Sequence, residues 1–206
     1  MNSDDIAAIA PPRVPGAKLV LASASPRRRW ILSEMDVEFR VEPPDVEELD
    51  DDADMAPFHI PLENAVLKAR SVAENARGEL VLGADTVVAI DGKLLGKPRD
   101  MLEAVEMLER LSGRWHEVVT GVCVVRIADT TLLSFADVSR VKFKSFDKTF
   151  AAEYAERAGS LDKAGAYAIQ DGGADIVETV DGSIFNVMGL PAERLASALT
   201  SIPSVD

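Results

Sequence analysis

The chain has 206 residues, 47% of them hydrophobic, and a formal net charge of −13. That composition supplies a large buried core, with length for one domain or two closely packed lobes, and excludes a disordered bulk. The acidic balance excludes a protein that coats nucleic-acid polymers, since nonspecific binding needs excess Lys and Arg to displace counterions; any anion site has to be locally basic.

Residues 1–16 read as a flexible extension. Asp4 and Asp5 stand where a secretion signal needs positive charge, and no later apolar run reaches membrane-spanning length, so the expectation is a cytoplasmic protein without membrane contact. Lys18–Ala22 is a short strand candidate, and Ser25-Pro26 then supplies a helix N-cap followed by proline at the first helical position. Pro43 to Pro57 is proline-rich and acidic and predicts an exposed loop. Leu62, Ala65, Val66, Ala69, Val72, Ala73 and Ala76 recur at helical spacing, which predicts a helix over roughly Leu62 to Ala76. Leu80–Ala84 is a second buried-strand candidate. Val87–Ile90 and Leu94-Leu95 flank Asp91-Gly92, a two-residue hairpin signal.

Asp100, with Glu103 three residues on, opens a helix that should stop at Gly113. Val118–Ile127 and Leu132–Phe146 predict two long strands, and Asp147–Ala158 a helix closed by Gly159. The tail predicts a turn at Asp171-Gly172-Gly173, a strand over Ile176–Val180, a turn at Asp181-Gly182 and a last helix from Pro191. The one cysteine, Cys123, lies in the run Val122-Cys123-Val124-Val125 and reads as a buried core thiol suited to a reducing compartment. Strands and helices interleave, but adjacent strand pairs imply a mixed α/β sheet. Without a repeat or a clean linker, residues 17–206 read as a single domain.

Chemistry concentrates in two places. Ser23, Ser25, Arg27, Arg28 and Arg29 stand at a strand-to-helix turn, where helix-start N–H groups, hydroxyls and guanidinium forks suit phosphate oxygens. Basic residues in a first turn oppose the helix dipole, so helix stability does not explain them; the bland alternative is an exposed basic helix start. No Walker run and no zinc spacing occur, His59 and His116 being far apart, which leaves hard-cation chemistry through carboxylates. Asp85 follows the apolar strand Leu80–Ala84, a position where α/β sheets place ligand-contacting groups. It could hold magnesium or take a proton from water, or it could merely cap a turn.

The segments Leu21-Ala-Ser-Ala-Ser-Pro-Arg-Arg28, Gly83-Ala-Asp-Thr-Val-Val88, Gly96-Lys-Pro98, Leu111-Ser-Gly113 with His116, Asp162-Lys-Ala-Gly-Ala-Tyr-Ala-Ile-Gln170 and Asn186-Val-Met-Gly-Leu-Pro191 together resemble the Maf family of nucleotide pyrophosphatases. The resemblance implies an elongated mixed sheet flanked by helices around a deep cleft, like that of the inosine triphosphate pyrophosphatases (a Maf/Ham1 fold), and a homodimer. It implies hydrolysis of a nucleoside triphosphate between its α and β phosphates, with Mg2+ or another divalent cation such as Mn2+ or Co2+. By position, Asp85 is the base that activates water, and Asp85 with Glu48 holds the metal, Glu47 being the neighbouring alternative. Arg27, Arg28, Lys68, Lys97 and Lys163 hold the triphosphate.

Within the family, the branch resembling dTTP and UTP pyrophosphatases carries Arg, Thr and Gln where this chain has Arg27, Thr86 and Gln170. The branch acting on 7-methyl-GTP carries Trp, Gln and Glu there. A neutral Gln amide offers one acceptor and one donor, which matches uracil. Modified pyrimidine nucleotides belong to the same class, and a noncatalytic nucleotide-binding regulator of septum formation is the alternative from a different class. Two departures stand out: Gly159-Ser160-Leu161 replaces the family's Glu-Pro, which predicts a more mobile loop, and residues 1–16 have no counterpart in the family's short form.

Overall fold

Local signals set most element boundaries in the computed structural model, which describes residues 9–49, 58–76, 78–127 and 130–202. The order is β1 (Lys18–Ala22), α1 (Pro26–Glu34), β2 (Glu38–Val41), α2 (Ile60–Ala73), β3 (Val81–Ile90), β4 (Lys93–Leu95), α3 (Met101–Leu111), β5 (Trp115–Ile127), β6 (Thr130–Phe143), α4 (Lys148–Ala158), α5 (Gly173–Ile176), β7 (Val177–Asp181), α6 (Ile184–Met188) and α7 (Ala192–Ser201). Ser25 caps α1 by accepting from the Arg28 N–H, and Asp100 caps α3 by accepting from the Glu103 N–H. Gly159, left-handed at φ 60°, ends α4. Asp91 and Gly92 both take positive φ, as the tight β3–β4 hairpin requires.

The strands form one mixed sheet in the order β2-β1-β3-β5-β6-β7, with β4 paired to the far end of β3. β1 runs parallel to β2 and β3, and the remaining pairs are antiparallel. Alternation divides the core between two faces. Val20 and Ala22 pack with Ala65, Ala69, Val72 and Cys123 under α2, while Leu19 and Leu21 join the larger cluster that includes Leu108, Phe143 and Leu195. Cys123 is buried, as its apolar run predicts, and burial pushes its thiol up to about 11.

The structure departs from the sequence reading in several places. β3 is one ten-residue strand rather than two pieces around Asp85. β2 was not legible, because Glu-Phe-Arg-Val is a short edge strand with little burial of its own. α6 is a five-residue helix inside a segment with no helical period. The extension read as flexible is anchored over part of its length: Val14 is buried, and its N–H donates to the Met35 carbonyl at 2.7 Å. Residues 1–8 of that extension and 50–57 of the acidic loop lie outside the described residues.

Two glycines on one face of the sheet decide how closely α2 approaches. A Cβ on Gly83 would stand 2.2 Å from the Ala65 carbonyl oxygen, and one on Gly121 would stand 2.2 Å from the Pro61 carbonyl oxygen. Both obstacles are backbone, so the helix itself would have to move. Gly121→Ala should therefore lower unfolding free energy by about 3 kcal/mol, the upper range for overpacking, read from urea midpoints. An unchanged midpoint would show that α2 can shift without loss.

Candidate active site

β1 ends at Ala22, paired with Gly83, and β4 takes up pairing only at Val88. Between these points the β1 side of β3 carries no neighbouring strand, and a cleft of about 650 Å³ opens there. Asp85 and Thr86 occupy this gap. The sequence reading put Asp85 at a strand end; it lies mid-strand, and the open edge arises because the parallel partner stops. Successive residues of a strand face opposite ways, so Asp85 faces α2 while Thr86 faces the larger core.

The glycine floor lets α2 bring Asn64 and Lys68, neighbours at i and i+4, onto Asp85. Asp85 is buried; its Oδ1 accepts from Lys68 Nζ at 2.8 Å and its Oδ2 from Asn64 Nδ2 at 3.1 Å. Glu48 reaches the same ammonium from the 42–49 segment, with Oε1 2.9 Å away. No group of three or more His, Cys, Asp or Glu is arranged for a metal among the described residues. Two hard carboxylates already converging on one cation nevertheless suit Mg2+, which typically takes one or two carboxylates from protein and fills its shell with water and phosphate oxygens. The residues present fit such an ion.

Arg28 is buried at the start of α1. Its Nε donates to the Gly189 carbonyl at 2.9 Å, Nη1 to Ser23 Oγ at 3.0 Å and Nη2 to Thr86 Oγ1 at 3.1 Å. Burial pushes its pKa down and nearby Asp85 opposes this. Arg28 is thus a clamp between α1, β3 and the end of α6 that still carries charge into the cleft. Ser23 Oγ also accepts from the Ser25 N–H, which shapes the turn. Behind the clamp, Thr86 Oγ1 meets Thr120 Oγ1, Thr120 donates to the Asn186 carbonyl, and Asn186 Nδ2 donates to the Val118 carbonyl and to Ser139 Oγ. This chain fixes α6, and so the Gly189 carbonyl.

Arg27 and Lys97 also line the cleft and have no hydrogen bond or ion pair among the described residues, though the charge of Arg27 helps to hold Asp162 below the usual carboxylate range. Gln170 lines it too, as an exposed residue at the rim. Lys163 departs from expectation. Its Nζ is buried and donates to the Ala158 and Gly159 carbonyls and to Asp162, at 2.8, 2.9 and 2.8 Å. The carbonyls at the end of α4 attract the ammonium, so Lys163 ties down the loop instead of reaching the cleft. Within the 159–161 loop Ser160 is buried and Leu161 exposed.

Sequence reasoning missed Asn64 and the pairing of His116 with Tyr167. His116 Nε2 lies 2.8 Å from the hydroxyl of Tyr167, whose side chain lines the cleft. His116, which lies within β5, gave only a motif match in the sequence; a partner 51 residues away has no local signal.

The sequence model for Maf-like protein matches residues 18–202. The chain belongs to the Maf family. It is 39% identical over 182 residues to the dTTP/UTP pyrophosphatase of Dictyoglomus turgidum, spanning 88% of this chain and 94% of that protein. It is 43% identical over 183 residues to the dTTP/UTP pyrophosphatase of Thermoanaerobacter sp. (strain X514), spanning 88% and 95%. Among solved structures, a HAM1 protein from Coxiella burnetii aligns over 62% of this chain and 73% of that one, with TM-score 0.45 and 22% identity.

In this Maf protein, burial pushes the His116 imidazole down to about 4. The unfolded chain takes up that proton near pH 6.5, so below this pH the unfolded state binds more protons than the folded one. Stability should then fall as pH drops from about 6.5 toward 4. Between pH 7 and 4.5 the wild type should lose about 2 kcal/mol more than His116→Gln, measured by urea unfolding. Equal pH slopes for the two proteins would remove His116 from the account.

Proposed function

We propose that this Maf protein hydrolyses dTTP and UTP, and modified nucleotides of the same pyrimidine class, to the monophosphate and pyrophosphate. The observation that carries the reading is Asp85: a buried carboxylate, oriented by Lys68 and Asn64, at the unpaired edge of β3 inside a cleft that also holds the free cations Arg27 and Lys97. A carboxylate fixed at both oxygens is suited to take a proton from an attacking water. Arg27, Lys97 and the charge of Arg28 and Lys68 are placed to stabilise negative charge on the phosphates, and Ser23 and Ser25 shape the α1 start that receives them. A divalent cation, Mg2+ or else Mn2+ or Co2+, would be held by Asp85 and Glu48 and would neutralise charge on the leaving pyrophosphate. Lys163 supports this arrangement from behind by holding the loop before Gln170.

The names of the relatives, together with Arg27, Thr86 and Gln170, support the pyrimidine branch. No helix among the described residues is long and apolar enough to cross a membrane. The family resemblance supports a cytoplasmic homodimer with one domain over residues 17–206 and small-molecule nucleotides as substrates.

Asp85→Asn keeps the shape and removes the base. It should lower kcat for UTP by about 100- to 10,000-fold while leaving the fold intact. The same assay should show UMP and pyrophosphate as the first products, and a strong chelator should stop the reaction. Near-normal turnover by the variant would exclude Asp85 as base, and early orthophosphate would exclude attack at the α phosphate.

Gln170→Glu tests the base. The carboxylate loses the amide donor to a pyrimidine carbonyl but suits the donors of a methylated guanine. Because Gln170 is exposed, a single net hydrogen bond is at stake, about 0.5–1.5 kcal/mol. The ratio of kcat/KM for UTP over 7-methyl-GTP should therefore fall by about 2- to 10-fold. An unchanged ratio would mean that Gln170 does not read the base.

A further inference from the structure

Asn64 is 2% exposed and every polar group of its amide is engaged. Oδ1 accepts from the Leu49 N–H at 2.7 Å; Nδ2 donates to the Leu49 carbonyl at 2.9 Å and to Asp85 Oδ2 at 3.1 Å. The orientation of the amide is dictated by its partners. The Leu49 N–H needs an acceptor, while the Leu49 carbonyl and Asp85 both need donors, and only this flip satisfies all of them. The side chain therefore pairs with residue 49 as a neighbouring strand would, in a 42–49 segment that has no regular hydrogen-bonded structure of its own.

Glu48 precedes the clamped residue. Its side chain is 49% exposed, so packing alone does not hold it, yet Oε1 stands 2.9 Å from Lys68 Nζ, which also contacts Asp85. One buried amide thus joins the segment bearing Glu48 to the carboxylate assigned to the chemistry. We infer that Asn64 is a positioning residue: it locks the 42–49 segment onto α2 and so sets the spacing between Glu48 and Asp85. The inference rests on the proposed roles of those two carboxylates, but the clamp itself is a physical contact that can be read without turnover. No shorter or acidic side chain reproduces it. Serine cannot span both Leu49 groups, and aspartate keeps the acceptor but has no hydrogen for the Leu49 carbonyl or for Asp85.

The first measurement is amide hydrogen exchange of the isotopically labelled full chain. Asn64→Ala should accelerate exchange at the Leu49 amide by about 10-fold or more, while amides in the interior of α2 keep their protection. Unchanged Leu49 exchange in a folded variant overturns the clamp. The second is a double-mutant cycle on pyrophosphate release from UTP. Groups that act through one another commonly couple by about 0.5–3 kcal/mol, so the combined loss in Asn64→Ala/Glu48→Gln should be at least about 2-fold smaller than the product of the single losses. Losses that simply multiply overturn positioning through Glu48.

Asn64→Asp keeps the volume and the acceptor for the Leu49 N–H, but it sets a second buried carboxyl against Asp85, where like charges cannot both ionise, so unchanged protection in the interior of α2 is the check that it folds. It should retain protection at Leu49 yet lose about 10-fold or more in kcat/KM, and wild-type kcat/KM in this variant overturns the inference. Wild-type protein that releases no pyrophosphate overturns the parent reading instead; Leu49 exchange still decides the clamp in that case.

Discussion

Helix α2 rests directly on the sheet because Gly83 and Gly121 present no side chain where it crosses, and the rest of the site depends on that closeness. Asn64 and Lys68 are one turn apart on the helix, and both reach Asp85 only from this depth. Lys68 then gathers Glu48 as a second carboxylate. Reacting groups misplaced by about 1 Å can lose roughly 100-fold in rate, so a floor that fixes the helix height also fixes the chemistry. The glycines bring no side chain to either carboxylate, Gly121 standing directly across the sheet from Asp85, yet they determine whether those carboxylates can be held together.

The chain carries a net charge of −13, while the proposed function puts a polyanion in its cleft. Long-range attraction cannot supply the affinity, since fields beyond about 8 Å are screened at physiological salt and the average sign is wrong. Short-range contacts must supply it, and the cationic side chains divide accordingly. Arg28, Lys68 and Lys163 are buried and tied to specific protein acceptors, which keeps the architecture rigid. Arg27 and Lys97 line the cleft with no hydrogen bond to protein among the described residues, although the charge of Arg27 also acts on Asp162. A group already engaged in shaping the site costs no reorganisation when charge develops nearby, which is the basis of electrostatic preorganisation.

The architecture was largely legible in the sequence because its signals are local. Ser25, Asp100 and Asp147 cap the helices that their positions predict, and Asp91-Gly92 makes the expected hairpin. The mixed sheet followed from adjacent strand pairs. What escaped depends on partners remote in sequence. β2 exists as a strand because β1 pairs with it, and its own residues are mostly exposed. Asp85 stood out as a candidate, but its mid-strand position was hidden, since periodicity cannot reveal that β1 stops at Ala22. Asn64 reads as an ordinary helix residue until Leu49 and Asp85 are seen beside it. Lys163 shows the opposite failure: its motif position suggested the cleft, whereas the carbonyls closing α4 claim its ammonium.

The Arg28 clamp joins residues separated by 161 positions, since its Nε binds the carbonyl of Gly189. Such a bond forms only after almost the whole chain has been synthesised. During translation the glycine-floored half, β1 through β5 with α2, can assemble first, because its contacts lie within the first 127 residues. The cleft wall supplied by α6 arrives late, and loop closure over such a span is entropically slow. The contacts that hold Asp85, from Lys68 and Asn64, are closer in sequence than the Gly189 carbonyl that fixes the Arg28 guanidinium. Under the proposed function, the cleft is complete only with the chain through Gly189 in place, since that carbonyl fixes Arg28.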